Sequence, residues 1–161
     1  MRHTISILVE NKTGVFTRIG GLFSARGFNL DGISVGPTDD PSTSRLTIVT
    51  HGNDKIIEQV NKQLNKLIEV IKVVDLTFED HVERELMLVK VNCNQETRNE
   101  IMQIVNIFRA NIIDISQKTM TIEVTGGIDK VQAFISLLKQ FGIREIARTG
   151  TIALKREFKG T

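Results

Sequence analysis

Tryptophan and tyrosine are missing from this chain, cysteine occurs once and proline twice. A lone Cys93 excludes an intrachain disulfide and fits a reducing compartment; at the end of a strand pattern it reads as a small buried hydrophobe. Charge of one sign is also lacking, because 21 Lys and Arg face 19 Asp and Glu for a formal net charge of +2. Without a basic field or an aromatic platform, a nucleic-acid surface is not expected. Apolar runs stop at strand length, so no segment is expected to span a bilayer. Met1-Arg2-His3 leads straight into an alternating strand, not a signal peptide, and a cytoplasmic location is expected. His3, His51 and His81 have no ligand spacing and no triad partners, and no Gly-Lys-Ser/Thr follows Gly14 or Gly20-Gly21. A catalyst in its own right is therefore disfavoured, and no metal site is expected.

The residues that are present repeat one plan twice. His3–Val9 alternates as a half-buried strand does. Glu10-Asn11-Lys12-Thr13-Gly14 breaks it, and Val15, Phe16, Ile19, Leu22 and Phe23 then form a helical stripe closed by Arg26-Gly27. Strands are predicted over Phe28–Val35 and Arg45–Thr50 across a Pro-broken loop. A helix capped by Asn53 or Asp54 and a strand over Val70–Phe78 complete βαββαβ. The second half gives a strand over Glu85–Asn92 and a helix over Glu96–Arg109. Strands over Ile112–Ser116 and Thr119–Val124, a helix over Asp129–Phe141 and a strand over Ile143–Arg148 follow. A short strand over Thr151–Leu154 precedes a basic, frayed end with Lys155, Arg156 and Lys159. The wording itself recurs, with TIVTHGNDKI (Thr47–Ile56) resembling TIEVTGGIDKV (Thr121–Val131). The expected class is α+β, two ferredoxin-like units: residues 1–78, a polar joint over 79–84, and residues 85–161. Open sheet edges and the marginal stability of small domains predict pairing into a homodimer, through the first unit's sheet edge or helices.

One loop is suited to a ligand. Gly14 lets the backbone turn from strand to helix, and the amides from Val15 onward sit where a helix dipole favours a carboxylate. Asn11 has both an amide donor and a carbonyl acceptor, so the loop suits a small zwitterion. The same residues equally make an ordinary βα turn. Asn29, at the start of the second strand, either faces a neighbour's loop in a dimer or satisfies local backbone.

Beyond these physical readings, LVENKTGVFTRIGGLFSARGFNLDGISVGPTDDPSTSRLTI, HVERELMLVKV, IFRANIIDIS and REIARTGTIALKR are similar to the regulatory (small) subunit of acetolactate synthase, an ACT-domain family. The likeness covers essentially the whole chain. It implies an effector-binding ACT domain followed by a ferredoxin-like domain, working as a dimer. It also implies a non-catalytic role beside a large subunit that carries thiamine diphosphate, Mg²⁺ and FAD, with no cofactor in this chain. The large subunit's activity would be raised, and feedback inhibition by valine conferred, in branched-chain amino acid biosynthesis. Asn11, Gly14 and Val15 match the family's effector loop on one chain, and Asn29 and Leu30 the facing strand of the other. Asp31-Gly32 and Phe16 depart from the family pattern; Gly32 is expected to loosen the strand beside the pocket. A free-standing ACT-type sensor acting on a different enzyme is the alternative.

Overall fold

The structure, a computed structural model, describes residues 1–157; of the expected frayed end, Lys159 lies outside the described residues, whereas Lys155 and Arg156 lie within them and are bonded rather than frayed. The alternation Ile5, Ile7, Val9 puts three fully buried side chains on one face of β1 (Arg2–Glu10). α1 (Val15–Arg26) covers that face with Val15, Ile19 and Phe23. β2 (Asn29–Pro37) and β3 (Thr43–His51) follow, then α2 (Asp54–Asn65) and β4 (Val70–Asp75). The strands run in the order β2-β3-β1-β4, with Ile5 opposite Ile48 and Ile7 opposite Leu46. Both helices lie on the Ile5–Ile7 face, where Ile57, Val60 and Leu64 close the core. Phe16 leaves the expected stripe: one residue on from Val15 turns it about 100° away, and it is 38% exposed. Gly27 ends α1 at φ +65°, and the next amide, Phe28 N–H, donates to the Phe23 carbonyl at 3.1 Å, the left-handed stop that glycine makes cheap.

The second unit repeats the order with β5 (His81–Asn92), α3 (Arg98–Ile107), β6 (Asn111–Ile115), β7 (Thr119–Gly126), α4 (Ile128–Leu138) and β8 (Ile143–Arg148). Its strand order, β6-β7-β5-β8, is the same permutation. Met87, Val89 and Val91 on β5 pack with Ile101, Ile122 and Phe134 in a separate core, beside a buried Cys93. Both units are ferredoxin-like and the chain is α+β, as expected. A last strand, β9 (Ile152–Lys155), follows. By compactness the chain divides into residues 83–150 and a unit of residues 1–82 with the segment from Thr151. In that unit Arg156 N–H donates to the Asp80 carbonyl at 2.8 Å and Lys155 pairs with Glu79 at 2.5 Å.

Several ends differ from the periodicity, each through local hydrogen bonding. β4 stops at Asp75, not Phe78, because the Asp75 carboxylate accepts the Thr77 amide at 3.0 Å and turns the chain. α3 begins at Arg98, two residues late, because Asn94 holds residues 94–97 in a side-chain turn. The helix read to Phe141 ends at Leu138 and tightens into a 3₁₀ turn over Lys139–Phe141. β5 begins at His81, inside the polar stretch, where the preceding Asp80 carbonyl accepts the Arg156 amide at 2.8 Å.

Candidate functional site

The β1–α1 connection is a turn whose own side chains leave the helix start unfilled. Asn11 N–H donates to the Ser42 carbonyl at 2.7 Å, which ties the loop to the β2–β3 hairpin and leaves the Asn11 side chain exposed. Gly14 sits at φ +84°, directly before α1, and no side chain caps the helix. The first turn has no acidic residue either. The first in-helix bond is Arg18 N–H to the Gly14 carbonyl at 3.0 Å, so Val15, Phe16 and Thr17 have amides with no intrahelical acceptor. Here the expectation needs one correction: the Val15 amide is not wholly free, because it donates back to the Lys12 carbonyl at 3.3 Å. The Val15 side chain is fully buried and fixes the helix on the core. What remains exposed around the loop is Asn11, Lys12, Thr13, Phe16 and Thr17.

Arg18 was not singled out by the sequence reading. Its Nη1 lies 3.3 Å from where a Cβ on Gly14 would stand, and its Nη2 pairs with Glu69. A guanidinium thus flanks the helix start, one turn along the helix from Gly14; the signal available was that spacing of four residues. Lys12 lies in the same loop, its pKa raised by a hydrogen bond and charge pairing with Glu10 at 2.9 Å. The hairpin that anchors Asn11 is itself ordered: Asp40 accepts both the Ser42 amide, at 2.9 Å, and the Ser42 hydroxyl, at 2.7 Å. These bonds, the hydroxyl first, hold the Asp40 carboxyl below its ordinary range.

Asn29 and Leu30 sit elsewhere. Asn29 opposes His51, which opposes Arg2 at the start of β1, whereas Asn11 follows the end of β1. Nine strand positions therefore separate the two levels, roughly 30 Å. One chain does not bring the two groups together. The Asn29 carbonyl accepts the Thr50 hydroxyl, and Leu30, Ile33 and Val35 are 39%, 39% and 47% exposed on the edge strand β2. The register shifts between Leu30 and Gly32, so Asp31 forms a bulge, and its carboxylate pairs with His51. The glycine expected to loosen this strand thus follows a bulge.

The other histidines are engaged locally, His3 with Asp75 at 3.0 Å and His81 with the Glu79 carbonyl at 2.7 Å. Gly20 and Gly21 lie within α1. Among the described residues no group of three or more His, Cys, Asp or Glu could hold a metal ion, and no helix is long and apolar enough to cross a membrane.

Two tandem βαββαβ units, the first opening an uncapped helix start to solvent, place the chain among tandem ferredoxin-like α+β proteins. A family model described as the AHAS small subunit-like ACT domain matches residues 5–72, and one described as the small subunit of acetolactate synthase matches residues 84–157. A probable acetolactate synthase small subunit from Archaeoglobus fulgidus is 56% identical over 97% of this chain and 98% of its own length. The acetolactate synthase small subunit of Mycobacterium bovis is 48% identical over 98% of this chain and 94% of its own. The crystal structure of the acetolactate synthase small subunit from Thermotoga maritima superposes with a TM-score of 0.90, at 48% identity, over 98% of this chain and 99% of that one. The chain belongs to the acetolactate synthase small subunit family.

Proposed function

We propose that this chain activates an acetolactate synthase large subunit and makes it sensitive to feedback by valine. Catalysis and its cofactors, thiamine diphosphate, Mg²⁺ and FAD, then belong to the large subunit, in the cytoplasm, and effector binding belongs to residues 1–78. The observation that carries this reading is the uncapped start of α1 behind Gly14. The Phe16 and Thr17 amides and the positive end of the helix dipole attract a carboxylate, with the Arg18 guanidinium alongside. The Asn11 side-chain carbonyl, exposed beside them, accepts from an ammonium group.

The second half of the site comes from a second copy. β2 is an edge strand with an unpaired side and an exposed apolar row. Two copies of β2, paired antiparallel about its midpoint Ile33, place Asn29 of one copy opposite Pro37 of the other. Pro37 opposes Ser44, two residues from the carbonyl that holds Asn11. The pairing therefore carries Asn29 and Leu30 to the other copy's Asn11–Val15 loop and explains why one chain keeps the two groups apart. An effector that bridges two copies shifts how they sit together only by its differential affinity, typically about 1–3 kcal/mol of coupling.

The test is acetolactate formation by the cognate large subunit, titrated with this chain with and without millimolar valine. Activation that valine reverses is expected. Activation without valine sensitivity removes the effector assignment, and absence of activation assigns the chain to another enzyme.

A further inference from the structure

The helix-free face of the first unit's sheet carries a second, chemically different concavity. We infer that it is a binding site for small aliphatic carboxylates, separate from the Gly14 loop. The register builds it. Leu8 opposes Arg45 on one side and Lys72 on the other, so the two cations flank Leu8 at a single level of the sheet. One step along, Ser6 opposes Thr47 and Val74. Since Ile5, Ile7 and Val9 point to the helices, Ser6 and Leu8 point away from them. Leu154 and Lys155 of β9 complete a cavity of about 240 Å³, formed wholly by residues of this unit.

Its charge is unbalanced. Arg45 donates to the Ser6 hydroxyl at 2.7 Å, and Ser6 is 4% exposed. Among the described residues neither Arg45 nor Lys72 has a carboxylate within ion-pair distance. Lys155 is the third cation of the lining, and Glu79, at 2.5 Å from it, the one acid that compensates. Two cations thus share a recess without an anion, where a carboxylate gains charge-assisted hydrogen bonds from a fork and an ammonium. Leu8 and Leu154 give the same recess an aliphatic wall, which inorganic phosphate leaves unused and a short alkyl chain covers. On β2, Gly36 stands opposite Arg45, and open space lies where its side chain would be, so Arg45 is not walled in from that side.

The experiment is an amide-resolved NMR titration of the full chain with sodium butanoate, at neutral pH and constant ionic strength. Saturable shifts on the amides of Ser6, Arg45 and Lys72 are expected, with butylamine producing none and phosphate binding at least tenfold more weakly. Lys72→Gln and Arg45→Gln are each expected to weaken butanoate about tenfold or more, while Gly14→Asp leaves it unchanged. Lys72 is exposed, so its variant tests the site even if Arg45→Gln misfolds. Shifts confined to residues 11–18, affinity unchanged in Lys72→Gln, phosphate binding as tightly as butanoate, or no saturation would each overturn the assignment.

Discussion

The two units answer the same structural problem, a helix beginning just after the first strand, in opposite ways. In the second unit Asn94 fills the turn. Its side-chain oxygen accepts the amides of Glu96 and Thr97, both at 2.9 Å, and the Thr97 hydroxyl at 3.2 Å, while its own amide donates to that hydroxyl at 3.1 Å. Glu100 adds a negative charge to the first turn of α3. In the first unit the corresponding turn has Gly14 at φ +84°, no capping side chain and no acid. α2, in the same unit, is capped by Asn53, which accepts the Ile56 amide at 2.9 Å. α4, behind Gly127, also lacks a side-chain cap but carries Asp129 in its first turn, so only α1 among the four described α-helices lacks both a capping side chain and a first-turn acid. An unsatisfied helix start costs stability, and the units differ in whether the chain itself or something outside it supplies the missing acceptor.

The largest expected effect comes from closing the open loop. Gly14→Asp places a carboxylate where the ligand's would sit and beside Arg18, and is expected to raise the valine concentration for half-inhibition tenfold or more while activation persists. Any side chain at that φ is strained by about 1 kcal/mol, so Gly14→Ala separates strain from charge. It is expected to keep inhibition within a few-fold, and equal losses in both variants would assign the effect to conformation. Opening the closed loop is the converse. Asn94→Ala removes several turn bonds and is expected to cost about 1–2 kcal/mol, read as a lower urea midpoint, with valine response unchanged. Asn53→Ala removes one cap bond and is expected to cost about 1 kcal/mol by the same measurement.

The smallest effect is in pH. Asp40 has its folded pKa lowered from 3.8 by bonds from Ser42. The order it gives the β2–β3 hairpin is therefore complete above that value and is lost as pH falls through the lower, folded pKa. The Ser42 amide resonance should report a midpoint below 3.8, and the neighbouring Asn11 amide, bonded to the Ser42 carbonyl, should follow it.

Periodicity made the element order legible because each strand and helix buries one face. Ile5-Ile7-Val9 and Met87-Val89-Val91 announce their strands, and Val15-Ile19-Phe23 its helix. Gly14 and Asn11 were legible as the break between strand and helix, but the same two residues also make an ordinary βα turn, so the pattern alone did not single out ligand chemistry there. What periodicity did not reveal depends on side-chain bonds across short spans. The late start of α3 rests on Asn94, and the early end of β4 on Asp75. Arg18 escaped notice because a helical arginine reads as a solvated charge until its guanidinium is seen beside Gly14 and Glu69. The Asp31 bulge was hidden too, since alternation counts residues and not their hydrogen bonds.

The compact division of the chain sets an order in time. The first unit takes in residues on both sides of residues 83–150, including β9 and its bonds to Glu79 and Asp80. A ribosome delivers sequence in one direction, so all of the second unit emerges before the first has its last strand. The domain begun first is the domain finished last, and until then its bare sheet face awaits Leu154 and Lys155.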